Sequence, residues 1–284
     1  MKRNVLLGLL LSASLCSTAQ LHVRPVHALM VTNDYEKKDQ VYKLNPAVDI
    51  PVTLATAGAT LYGFSVIYSK DPSAEHEIQN LKKSDINSFD RWAAGMHSQK
   101  AANASDVFFY GSMAAPLLLL ADKHIRGDAA KIGFMYLEAL SVTGILYTGV
   151  PALVDRYRPL TYSDEVPMEV RMSGKNRNSF FAGHVALVGT TTFFAAKVFS
   201  DYHPNSKLRP YLWTAAALAT GTTGYLRYRS GRHFPSDILV GAAVGTLSGI
   251  LVPQFHKVKL IKNENLTVVP FMGTSNGLAV VYRL

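Results

Sequence analysis

Three side chains with reactive chemistry fall in a fixed order between residues 226 and 241, in the stretch L-R-Y-R-S-G-R-H-F-P-S-D-I-L-V-G. Arg227 is followed after five residues by His233, and His233 after three by Asp237. Pro235 suits the first position of a helix, so Asp237 is expected in the first turn, facing back toward His233. A carboxylate bonded to one imidazole nitrogen fixes the tautomer and leaves the other nitrogen free to attack. Arg227, with Arg229 and Arg232 nearby, offers guanidinium forks for an oxyanion such as phosphate. Taken alone, the three residues are as compatible with a surface loop as with a site.

Two earlier stretches change that balance. Residues 154–159 read V-D-R-Y-R-P and end in Arg158-Pro159. Residues 178–187 read N-S-F-F-A-G-H-V-A-L, with Gly183-His184 opening an apolar run. In the order Arg-Pro, Gly-His, Arg-x5-His-x3-Asp, the chain resembles the type 2 phosphatidic acid phosphatase and vanadium haloperoxidase superfamily over residues 50–255. That family carries K-x6-R-P, then P-S-G-H, then S-R-x5-H-x3-D. Three positions depart from it: Pro151 stands where the Lys would be, Phe181-Ala182 replaces Pro-Ser, and Leu226 replaces the last Ser. Lys175, Arg156 and Arg177 are near enough in sequence to supply the missing charge.

The resemblance implies a mechanism and a set of roles. Arg158, Arg227 and backbone N–H groups around Ala182 and Gly183 would hold the phosphate oxygens. His233 would attack phosphorus, with Asp237 orienting it, and His184 would protonate the leaving alcohol and then activate water. Such chemistry runs on side chains, so neither a metal nor another cofactor is expected.

The rest of the chain must position these residues. Of its 284 residues 48% are hydrophobic and 17% charged, and the net charge is +9. No basic amphipathic run or aromatic–basic interleaving marks a nucleic-acid binder; the arginines in the motifs fit an anionic substrate or an anionic lipid surface better. Residues 1–19 read as a secretory signal peptide, with Lys2-Arg3, an apolar centre and Ser17-Thr18-Ala19 before the cut. An uncleaved anchor is the alternative. Cys16, the one cysteine, lies in this leader, so the mature chain needs no disulfide.

Residues 20–48 read as an N-terminal arm. Residues 49–255 alternate apolar runs (50–68, 107–121, 132–154, 180–196, 211–225 and 238–252) with charged loops. The expected fold is all-α: a six-helix bundle, multi-pass in the membrane, with the Gly, Ala, Ser and Thr content that close packing of membrane helices requires. A large soluble helical core would use the same composition. Between the first two runs, Phe89, Trp92 and Met96 are expected on one side of a short amphipathic helix, and His76 and His97 at the surface. Glu138, inside the third run, is expected as a polar contact between helices. Residues 256–284 read as a tail with a β-hairpin, two β-prone segments around G-T-S-N-G.

The motifs fall at the end of the third run, the start of the fourth, the end of the fifth and the start of the sixth. In an antiparallel bundle these points share one mouth. Three functions remain open at this stage. One is a metal-independent phosphatase acting on a lipid-linked phosphate monoester or pyrophosphate, with the bilayer as its medium and no obligatory protein partner. The second is a broad-specificity periplasmic acid phosphatase. The third is a structural envelope protein on an altered phosphatase scaffold. A vanadium haloperoxidase is a further variant. The leader places any of them in a bacterial-type cell envelope, in the inner membrane or the periplasm.

Overall fold

The computed structural model describes residues 40–258 and the strands Leu266–Phe271 and Gly277–Tyr282. The leader at 1–19, residues 20–39 of the arm and the turn between the strands lie outside the described residues. The long helices are α1 (Pro46–Tyr68), α2 (Gln99–Met113), α3 (Ala129–Leu153), α4 (Gly183–Tyr202), α5 (Arg209–Arg229) and α6 (Pro235–His256). One-turn helices occupy several of the connections. The strands β1 (Leu266–Phe271) and β2 (Gly277–Tyr282) pair antiparallel, Leu266 opposite Tyr282 and Phe271 opposite Gly277.

Local chemistry explains the helix starts. Proline opens α1 and α6, where its missing N–H costs nothing. The Asp49 carboxylate accepts the Asn45 N–H at 2.6 Å, and the Asp237 carboxylate accepts the Phe234 N–H at 2.8 Å. Both place an anion at the positive end of a helix. The fourth apolar run starts at 180, yet α4 starts at Gly183. Backbone bonds from Ser179 N to Arg156 O and from Ala182 N to Asp237 O hold the intervening residues in a loop.

Four helices are long and apolar enough to cross a membrane: α1, α3, α6 and Gln99–Ala121, which continues α2 through two short turns; their mean hydropathy lies between 1.3 and 1.8. The other two long helices, α4 and α5, are not among them. Twelve residues of α4 are buried, including Thr190, Thr191 and Lys197. On the outer helices large apolar side chains point away from the protein, among them Leu54, Leu61, Val107, Leu118 and Leu239.

Helices α4 and α6 approach closely because α6 carries glycine every fourth residue on one face. A Cβ at Gly241, Gly245 or Gly249 would collide with the carbonyls of Ala182, Ala186 and Thr190 respectively. This is small-residue packing of the kind membrane helices use when lipid gives no hydrophobic drive to associate. Threonines join the pair to α3, where Thr143 Oγ1 lies 2.7 Å from Thr190 Oγ1. Toward the end of the bundle remote from the motifs, Glu138 on α3 meets His256 on α6 at 3.4 Å, and Asp49 on α1 meets the same ring nitrogen at 3.3 Å.

The segment around residue 90 differs from the amphipathic helix expected there. It forms only the single turn Ser88–Arg91. Phe89 and Trp92 are exposed and Met96 is half-buried, and Trp92 packs on Tyr228 with centroids 4.9 Å apart. Asp90 instead turns fully inward, because the site described below supplies its partners.

The close approach of α6 to α4 generates a prediction. Gly245→Val forces side-chain atoms against the Ala186 carbonyl and is expected to cost about 1–3 kcal/mol, read as a lower thermal midpoint in detergent. Gly221→Ala, where a Cβ meets open space, is expected to leave the midpoint unchanged or slightly higher. Equal effects would contradict this packing.

Candidate active site

The end of α3, the start of α4, the end of α5 and the start of α6 surround a cavity of about 390 Å³. Arg158, His184, Arg227 and His233 all line it, so the structure brings together the four side chains that parity placed at one mouth. Lys175 and Arg232 line it as well. Asp237, Ala182 and Gly183 are not among its lining residues.

His233 is 1% exposed, and its Nδ1 lies 2.6 Å from the Ser179 carbonyl. A carbonyl only accepts, so Nδ1 carries the hydrogen and Nε2 carries the lone pair. Burial first, then the Arg158 and Arg227 charges, hold this imidazole well below the ordinary histidine value. It is therefore neutral, with Nε2 left as the open ring nitrogen.

Asp237 does not orient His233 directly, contrary to the expectation from spacing. Its Oδ2 accepts from the Ser179 hydroxyl at 2.7 Å and from the Phe234 N–H at 2.8 Å, and its Oδ1 pairs with Arg156. A carboxylate at the third helical position folds back onto the N–H of its own N-cap, and that geometry turns it away from the ring. Asp237 acts instead through Ser179, whose side chain it grips and whose carbonyl fixes His233.

Arg156 is shared between two buried carboxylates, Asp237 and Asp90, the latter at 2.7 Å. Asp90 also accepts from the Ser236 N–H at 2.9 Å and the Ser236 hydroxyl at 2.6 Å. The Arg156 guanidinium lies over the Phe234 ring, 4.6 Å from its centroid. Arg156 is thus committed to the scaffold. Arg177 is committed too, pairing with Asp155, which also holds Lys70 at 2.7 Å. Of the three residues considered as replacements for the missing lysine, Lys175 alone lines the cavity.

Arg158 is 9% exposed, and its Nε finds no hydrogen-bond partner among the described residues. The Nε of Arg227 is likewise unpartnered, while its Nη1 donates to the Ser105 hydroxyl at 3.1 Å and lies 3.6 Å from Asp106. No ion pair engages Arg158, Lys175 or Arg232 among the described residues. Buried guanidinium nitrogens without partners are costly, and a cavity that gathers two such side chains is built for an anion.

The Gly-His pair plays a different part from the one expected of its glycine. A Cβ at Gly183 would run into the Tyr147 ring, so ring packing demands glycine here. The Ala182 N–H is taken by the Asp237 carbonyl at 3.0 Å, which removes it as a phosphate donor. His184 stands in the first turn of α4, its Nε2 3.2 Å from Asp106 Oδ1 and its ring stacked on Phe109 at 4.3 Å. Asp90, Ser105, Asp106 and Ser179 were missed as parts of the site, whereas Arg232, named beside Arg227, does line the cavity. Only Asp106 carried a signal, as an acid directly before the apolar run 107–121.

Residues 132–260 match the family model of the PAP2 superfamily. A search of curated proteins returned no match. Among solved structures, the chain is similar to a transmembrane PAP2-type phosphatidylglycerolphosphate phosphatase from Bacillus subtilis, at 16% identity and a TM-score of 0.36, over 74% of this chain and 94% of that one. The matched segment, which is similar to the PAP2 superfamily, holds Arg158, Gly183, His184, Arg227, His233 and Asp237.

Proposed function

We propose that the protein is a phosphatase that hydrolyses a lipid-linked phosphate, a monoester or a pyrophosphate, through a phosphohistidine at His233. The observation that carries this reading is the meeting of a neutral His233, with Nε2 left open, and two buried guanidinium groups with unpartnered nitrogens in one cavity. The four apolar helices and their outward leucines support a membrane protein with a lipid as the carrier of the phosphate; the cell envelope is the location that the leader implies.

In the first step His233 Nε2 forms a bond to phosphorus while the bond to the leaving oxygen breaks. His184 gives that oxygen a proton, so that for a monoester an alcohol departs. Arg158 and Arg227 hold the phosphoryl oxygens and stabilise the charge spread over them in the transition state. In the second step water attacks phosphorus, its proton passes to His184, the P–N bond breaks and inorganic phosphate leaves. His233 emerges with Nδ1 still bonded to the Ser179 carbonyl. Asp237 and Arg156 keep that carbonyl in place and do not touch the substrate. Lys175 supplies the third positive charge, from a different element than the family's lysine.

Phosphate release from a panel of lipid phosphates and soluble esters tests this reading. Wild type is expected to release phosphate from lipid phosphates in the presence of EDTA, and His233→Ala is expected to fall to background. A panel in which soluble esters outrun every lipid would favour the broad acid phosphatase. Folded wild type that hydrolyses nothing would leave only the scaffold reading.

The role of Lys175 has its own test. A charge-assisted bond contributes about 1.5–3 kcal/mol, so Lys175→Ala is expected to lower kcat/KM by roughly ten- to a hundredfold. Arg177→Ala, whose guanidinium is held by Asp155, is expected to change it by less than about threefold. Similar losses in both would contradict the assignment of Lys175 to the phosphate.

A further inference from the structure

Asp106 is an acid two turns into a helix that is apolar enough to span a membrane, and Lys100 is the other charged residue of Gln99–Ala121. An ionisable group in such a place is expensive and marks function by default. It lies outside the 132–260 family match. Its Oδ1 stands 3.2 Å from His184 Nε2 and 3.6 Å from Arg227 Nη1. Neighbouring Ser105, fully buried, accepts from the same Arg227 nitrogen at 3.1 Å. Phe109, one turn further along α2, stacks on the His184 ring. One face of α2 thus fixes the position, plane and hydrogen bonding of His184 and steadies Arg227.

The chemistry of His184 needs such a partner. To protonate a leaving alcohol the ring must pass through the imidazolium form. Arg158, Arg227 and Arg232 line the same cavity, and each disfavours a further positive charge there. Asp106 is the carboxylate in contact with this ring among the described residues. With Nε2–H donated to a carboxylate, Nδ1 becomes the nitrogen that exchanges a proton.

We infer that Asp106 is the positioning residue for His184 as general acid and base, an inference that rests on the phosphatase reading above. In the first step the Nδ1 proton goes to the leaving oxygen, and in the second Nδ1 takes a proton from water. Nε2–H stays bonded to Asp106 throughout, and Asp106 keeps its charge. The device sits on α2, while the nucleophile His233 is set by the Ser179 carbonyl, so the two histidines are oriented by separate elements.

The test compares leaving groups. Alkoxides need a proton to depart and p-nitrophenolate does not. For purified full-length protein in detergent, kcat/KM is measured on a long-chain alkyl phosphate and on p-nitrophenyl phosphate. Asp106→Asn is expected to lower the alkyl value by at least about tenfold, a fraction of the roughly 10²–10⁴ that a positioned general acid supplies, and the nitrophenyl value by less than about threefold. Asp106→Glu is expected to recover part of the loss. In a His184→Ala background, Asp106→Asn is expected to add nothing, because the pair acts as one unit. Equal loss on both esters, or an additive loss in the His184→Ala background, would overturn the inference, since a structural role or one through Arg227 moves both. An unchanged alkyl value would overturn it too. Failure of the wild type on both esters would overturn the phosphatase reading itself and this inference with it.

Discussion

The site depends on one buried carboxylate. Asp237 is wholly inside the protein, and each part of it holds a different segment of chain. Its backbone carbonyl takes the Ala182 N–H, one side-chain oxygen takes the Ser179 hydroxyl and the Phe234 N–H, and the other takes Arg156. Arg156 then reaches Asp90, which caps the start of α6 from the other side through Ser236. Two buried carboxylates share one guanidinium, so the arrangement tolerates the loss of none of them; removing one partner of a buried ion pair typically costs about 3–5 kcal/mol. The result is a rigid frame in which the Ser179 carbonyl points at His233. The His233 tautomer is set by a main-chain atom, and the acidic residue four positions on serves that atom.

That frame stands on the contact between α4 and α6. The three glycines of α6 bring its backbone against the carbonyls of α4, and Gly183 gives its missing Cβ to the Tyr147 ring. Both helices begin at the cavity, one with His184 and the other just after His233. A shift of either helix would move the two histidines relative to each other. Close packing along α4 and α6 and the alignment of the two histidines are therefore the same requirement, and in the proposed reaction misplacements of about 1 Å would lower the rate strongly.

Much of this was legible in the chain. The three motifs name the cavity-lining Arg158, His184, Arg227 and His233, and the parity of the apolar runs gathers them at one mouth. The six runs gave six long helices, of which four are long and apolar enough to cross a membrane; in α4 threonine hydroxyls bond back to the helix's own carbonyls, as Thr190 does to Ala186. Spacing alone misplaced the Asp237 bond, because it does not reveal that a helix N-cap competes for the same oxygen. Lys175, Arg156 and Arg177 look alike as cations in one loop. What separates them is whether a carboxylate from a distant segment, Asp90, Asp155 or Asp237, has already claimed them, and that is a fact of tertiary structure.

The central claim is that His233 carries the phosphoryl group. Protein incubated with excess phosphatidic acid and quenched in alkali, where phosphohistidine survives, can be cleaved and its peptides mapped by mass. A phosphoryl group on the peptide containing His233, absent from His233→Ala and still formed when His184 is replaced, is what the account predicts. Phosphate carried on His184, or turnover with no phosphorylated histidine at all, would contradict it.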